Sequence, residues 1–133
     1  QVGQSLIYSS EHRCRSVGRP IYLDDIACDL PDLKLIGSHV GIPWQDEMIA
    51  MAWKHDNVFI CTDAHSPKYW PESVVRYINS YGQDKVIFGT DFPVLRFKRT
   101  LDEIDDFQLK PHVRKKFVRD NVLKIYGLED RIQ

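Results

Sequence analysis

Hydrophobic positions along the chain switch between two periods. Short apolar runs occupy residues 33–37 (L-K-L-I-G), 58–61 (V-F-I-C) and 86–88 (V-I-F), each entered through polar residues such as Pro31-Asp32, Asp56-Asn57 or Gln83-Asp84-Lys85. The runs begin roughly 25–28 residues apart, too far for hairpins and suited to parallel strands joined by crossover helices. The intervening stretches carry helical stripes. Residues 21–29 place Ile21, Leu23, Ile26 and Ala27 on such a pattern and stop before Pro31; residues 46–54 carry Met48, Ile49, Ala52 and Trp53. Residues 71–80 open on Pro71 and present Val74, Val75 and Ile78. A C-terminal helix is expected over residues 111–126, as one long helix or two short ones, with Val113, Phe117, Val118, Val122, Leu123 and Ile125 apolar and Gly127 closing it.

The first twenty residues are less regular. Leu6, Ile7 and Tyr8 form a brief apolar patch, Val2-Gly3 reads as the end of a strand, and residues 11–18, rich in Arg and Ser, read as a loop. The pattern therefore predicts an α/β fold of three to four parallel βα units. A (β/α)8 TIM-type barrel takes roughly 200–250 residues. The 133 residues accordingly read as a single partial barrel domain over 1–133, about half of such a barrel.

A content of 43% hydrophobic and 28% charged residues is that of a soluble globular domain, and a net charge of -1 gives no field to gather nucleic acid or anionic lipid. The basic cluster Lys110, Arg114, Lys115, Lys116 and Arg119 falls at helical spacing and reads as a solvated helix face. Cys14, Cys28 and Cys61 are odd in number and lack C-x-x-C spacing, which suggests neither a disulfide framework nor a thiolate zinc site and fits a reducing cytoplasm. No run approaches the ~20 apolar residues of a membrane span, so no membrane partner is expected.

Candidate chemistry gathers at the strand ends. The run V-I-F-G-T-D-F-P delivers Asp91 just past the last strand, and L-I-G-S-H-V-G-I-P-W places His39 equivalently after the first. In parallel α/β folds these tips hold catalytic and metal-binding groups, because the strand fixes the side chain while the following loop opens to substrate. A histidine and an aspartate over one mouth can share a water, one polarising and the other taking a proton. His65, in D-A-H-S-P after the middle strand, is a third candidate and would line the substrate pocket. Trp44 and Trp70 read as cover for mouth or core, with Trp44 and Phe92 as candidate substrate contacts. Phe88 reads as a core residue, its truncation costing ~3–5 kcal/mol if fully buried.

Three ordered motifs carry a family resemblance: H-V-G-I-P-W at 39–44, F-G-T-D-F-P at 88–93 and N-V-L-K-I-Y-G-L at 121–128, supported by G-R-P-I-Y-L-D-D-I at 18–26 and K-H-D-N-V-F-I at 54–60. Together they resemble the C-terminal half of the amidohydrolase-related metal-dependent hydrolases and decarboxylases, in the branch that includes aminocarboxymuconate-semialdehyde decarboxylase. The resemblance implies a distorted (β/α)8 barrel with a divalent metal, usually zinc, at the C-terminal mouth. It implies that Asp91 ligates metal and handles a proton, and that His39 polarises substrate or acts as acid. It also implies a ligand at the fourth position of a Q-V-G-H stretch, where this chain has Gln4. The H-x-H pair of the family's first strand has no counterpart, since His12, His39, His55, His65 and His112 never show that spacing. A catalytic zinc takes three protein ligands, so the isolated chain, in which Asp91 lacks histidine partners, is expected to bind zinc weakly or not at all.

The expected function is thus a metal-dependent hydrolase or decarboxylase of a small carboxylated or cyclic substrate, incomplete or inactive as this chain alone. The partner expected at the open edges is a second copy or a missing half-barrel. The competing reading is a non-catalytic truncated homologue serving as an assembly or binding module.

Overall fold

The computed structural model describes residues 1–4 and 15–131. The apolar patch at 6–8, the first part of the expected loop at 11–18, His12 and Cys14 lie outside the described residues. Three parallel strands, β1 (Leu35–Gly37), β2 (Val58–Cys61) and β3 (Val86–Ile87), pair in sequence order. Leu35 lies opposite Val58, and Ile60 opposite Val86. Helices α1 (Leu23–Asp29), α2 (Gln45–Lys54), α3 (Glu72–Ile78), α4 (Phe97–Asp105), α5 (Pro111–Lys115) and α6 (Asn121–Tyr126) complete a partial (β/α) barrel.

Alternation along β2 shows how the layers form. Val58 and Ile60 are buried while Phe59 and Cys61 are only partly so, the period-2 pattern of a strand whose two faces differ. Met48, Met51 and Ala52 sit three and four residues apart on α2 and are buried in the same cluster as Val58 and Ile60, the spacing that puts side chains on one helix face. Gly37 gives Met48 its room, because a Cβ there would lie 2.4 Å from the Met48 sulfur.

The C-terminal helix differs in detail from its expectation. Residues 116–120 form a π-helical turn between α5 and α6, and Gly127 ends α6 in the left-handed region at φ 64°. Phe117, 1% exposed, makes edge contacts with Trp70 and Phe88 at ring separations of 6.2 and 6.1 Å. Phe88 itself lies just past β3 and is only partly buried, so Phe117 anchors this part of the core. Asn121 ties α6 to β3 by donating Nδ2–H to the carbonyls of Gln83 and Val86. The side chains of the basic cluster are engaged: Arg114 with Asp105, Lys116 with Asp84, Lys115 and Arg119 with Asp120, and Lys110 Nζ with the Asn79 backbone carbonyl.

Helix α4 is an element the hydrophobic pattern did not reveal. Only Thr100 and Ile104 of it are fully buried, and the rest of its stability is local, with Lys98 paired to Asp102 and Arg99 to Glu103 one turn on. Ser66 also donates to the Glu103 carboxylate, joining α4 to the loop after β2.

At the start of the chain, Gly3 donates its N–H to the Gly18 carbonyl in an antiparallel bridge, and Gln4 donates to the Ile42 carbonyl at 2.8 Å. Gly3 has φ +92°, and a Cβ there would meet the Ile42 carbonyl oxygen at 2.7 Å. Gly3→Ala is therefore expected to cost about 1–3 kcal/mol, read by urea denaturation. An unchanged midpoint would mean that this segment does not hold the fold.

Candidate active site

Each strand hands over to a turn in which a residue is driven into left-handed backbone. After β1 come His39 at φ 64° and Val40 at φ 59°; after β2 comes Ala64 at φ 64°; after β3 comes Asp91 at φ 53°. Non-glycine residues seldom adopt such angles, and for a β-branched residue such as Val40 they are a genuine outlier that surrounding structure must enforce. Full burial of Val40 and the His39 N–H bond to Asp63 accompany the two angles after β1. His39 thus sits in the short helical turn Ser38–Gly41 that follows the strand.

These turns bring His39, His65 and Asp91 to the lining of one cavity of about 440 Å³, together with Gln1, Gln4, Ala64 and Val94. The rings of His39 and His65 stand 6.5 Å apart and nearly perpendicular, at 81°. Trp44 and Phe92 are not among the residues lining this cavity. Trp44 caps α2 beneath the Arg19 guanidinium, 5.7 Å from its ring, and Phe92, 64% exposed, stacks on Phe97. Asp91 also serves its turn, its carbonyl accepting the Val94 N–H at 2.8 Å.

Asp63 is a residue whose role the sequence pattern did not isolate. Its Oδ1 accepts the His39 backbone N–H at 2.6 Å and stands 3.5 Å from His39 Nδ1. That ring nitrogen is buried and has no hydrogen-bond partner among the described residues, so the imidazole is held by its backbone and keeps unspent hydrogen-bonding capacity. Cys61, on the strand leading to Asp63, is a partly buried thiol pushed up to about 12, first by burial and then by the Asp63 charge. It is inert as a nucleophile near neutrality.

Burial holds the His65 ring below the ordinary imidazole range, the neighbouring His39 adds to this, and Asp63 partly offsets it. The unfolded chain therefore takes up the His65 proton first as pH falls below about 6.5. Stability from this group is complete above that pH and declines as pH falls toward the folded value. His65→Gln is expected to flatten the decline in denaturation midpoint. Removing His39 (His39→Asn) should raise the His65 midpoint followed by NMR, and a wild-type His65 midpoint at or above 6.5 would contradict the arrangement.

Metal affinity at this mouth depends on whether its donors meet. Among the described residues His39, His65 and Asp91 do not gather within the 4.8 Å spacing that a set of three ligand atoms shows elsewhere in the molecule. Gln4 adds only an amide, a poor ligand for zinc beside imidazole or carboxylate. The described mouth residues therefore do not by themselves form a metal shell.

Parallel strands, crossover helices and polar groups converging beyond the strand ends define a partial TIM-type barrel with a candidate active site at its C-terminal mouth. The amidohydrolase family model matches residues 9–128, and the chain belongs to that family. Among solved structures it is similar to an uncharacterized TIM-barrel protein from Bordetella bronchiseptica, with 25% identity and a TM-score of 0.74. That match covers 81% of this chain but 39% of the Bordetella chain. No curated protein matches the chain. Among the described residues no helix is long and apolar enough to cross a membrane.

Proposed function

We propose that the chain supplies the proton-transfer and substrate-orienting side of an amidohydrolase active site acting on a small carboxylated or cyclic substrate, by hydrolysis or decarboxylation as in the aminocarboxymuconate-semialdehyde decarboxylase branch. The observation that carries this reading is the convergence of His39, His65 and Asp91 on one cavity from three consecutive strand ends. In it, His39 polarises or protonates the substrate, Asp63 positions His39, Asp91 accepts a proton, and His65 contacts the substrate carboxylate. The family's divalent metal, if held, needs ligands beyond the described residues, with Asp91 the carboxylate this chain would add. That requirement favours completion of the barrel by further strands, from a second copy or another half-barrel.

The test is turnover of a panel of small lactones and carboxylated aromatics, with zinc or manganese, by residues 1–133 alone and by the chain completed with the remaining barrel strands. Activity is expected only in the completed barrel, and His39→Asn should remove it. Turnover that survives His39→Asn would defeat the reading. Gln4 at a position where the family resemblance implies histidine favours the second reading, a binding module without catalysis; ligand binding without turnover in the completed barrel would establish it. A monodisperse monomer of residues 1–133 at high concentration, seen by sedimentation, would rule out self-association of the open sheet edges.

A further inference from the structure

A second cluster of chemistry-bearing side chains lies at the opposite end of the sheet. His55 follows α2 and precedes the first residue of β2, whereas Asp63 and His65 follow its last. Asp24 and Cys28 stand four residues apart on α1, one above the other on the same helix face. The ligand atoms of Asp24, Cys28 and His55 all lie within 4.8 Å of one another. His55 Nε2 is 2.6 Å from Asp24 Oδ1, and its side chain is only 10% exposed.

We propose that Asp24, Cys28 and His55 form a site for a borderline divalent cation, zinc or cobalt, that staples α1 to the junction of α2 and β2. A carboxylate oxygen, a thiolate and an imidazole nitrogen are the donor types zinc takes, at bond lengths of about 2.0–2.3 Å. Three such bonds place donors roughly 3–4 Å apart, so the His55–Asp24 hydrogen bond at 2.6 Å must open by roughly an ångström while the wider pairs, all within 4.8 Å, close by about as much. The thiolate disfavours magnesium and calcium, which take oxygen ligands. The fourth position is left to water.

Lys54 is the competing cation. Its ammonium holds both Asp24 oxygens, at 2.6 and 2.9 Å. The Lys54 side chain is 54% exposed, so it can swing into solvent when a metal arrives. On binding, the Cys28 thiol proton leaves to solvent and the Lys54 ammonium gives up Asp24; no electron is transferred. Asp24 thus serves Lys54 and His55 without metal and becomes a ligand with it.

Cobalt(II) titration of residues 1–133 tests this, because a thiolate–cobalt bond gives a near-ultraviolet charge-transfer band and tetrahedral cobalt gives intense visible bands. One equivalent should produce both, and excess zinc should bleach them. Cys28→Ser should remove the charge-transfer band, Asp24→Asn should weaken binding, and Asp91→Asn should leave the spectrum unchanged, separating this site from the mouth. Lys54→Ala should tighten cobalt binding by about twofold or more, the scale of releasing an exposed ion pair. Zinc should raise the thermal midpoint of the wild type and not that of Cys28→Ser. A charge-transfer band that persists in Cys28→Ser, a spectrum lost in Asp91→Asn, absence of the band at one equivalent in the wild type, or weaker binding by Lys54→Ala would each overturn the proposal.

Discussion

Phe117→Ala is expected to destabilise the chain by about 3–5 kcal/mol, the range for emptying a fully buried aromatic site. The ring is 1% exposed and wedged between Trp70 and Phe88, and its carbonyl accepts the Phe88 N–H at 3.1 Å. Phe117 lies on the π-helical turn between α5 and α6, and Phe88 lies on the segment that carries Asp91 to the mouth. A cavity there removes packing common to the C-terminal helix and the β3 end. Urea denaturation should show the loss as a lower midpoint, with Phe88→Ala costing less because Phe88 is only partly buried. A larger loss for Phe88→Ala than for Phe117→Ala would show that the strand end, not the helix, anchors this layer.

Asp91→Asn is expected to cut kcat by about 10²–10⁴ in the completed barrel, the usual contribution of a positioned acid or base. The substitution keeps the side chain's shape and removes its charge. Asp91 is exposed to the cavity and its turn is fixed by a backbone hydrogen bond to Val94, so the denaturation midpoint should move little. Full turnover by Asp91→Asn would show that the strand-end carboxylate is a turn residue alone. Metal content needs the same control. Zinc held by Asp24, Cys28 and His55 would appear in elemental analysis of the whole chain, so metal at the mouth is the part that Asp91→Asn removes.

The sheet was legible in the sequence because strand burial imposes a local signal. Residues 58–61 form β2 as their apolar run implies, while β1 and β3 are shorter than the runs at 33–37 and 86–88, since Leu33, Lys34 and Phe88 lie outside the paired strand residues. Helix α4 carries Phe97, Leu101 and Ile104 at helical spacing, but the stripe is short, set among charged residues, and buries only Thr100 and Ile104 fully. At the mouth, the strand-end positions of His39, His65 and Asp91 could be read from the motifs, and they do line one cavity. The left-handed turns could not, because they fall on non-glycine residues whose types do not announce them, nor could the Asp63 carboxylate that holds His39, because it acts across 24 positions of sequence. The same holds for Cys28. Its spacing to Asp24 is local, but His55 reaches them only because the end of α2 is tied to α1 through the bonds of Lys54 and His55 to Asp24.

His39, His65 and Asp91 are proposed to act together on a small carboxylated ligand. NMR of the histidine rings during titration with benzoate tests that most directly. The His39 and His65 signals should shift together along one binding curve while His55 stays still, and Asp91→Asn should tighten the curve by removing a like charge from the same cavity. Shifts at His55 alone, His39 and His65 moving along separate curves, or an Asp91→Asn variant that binds benzoate no better would contradict it.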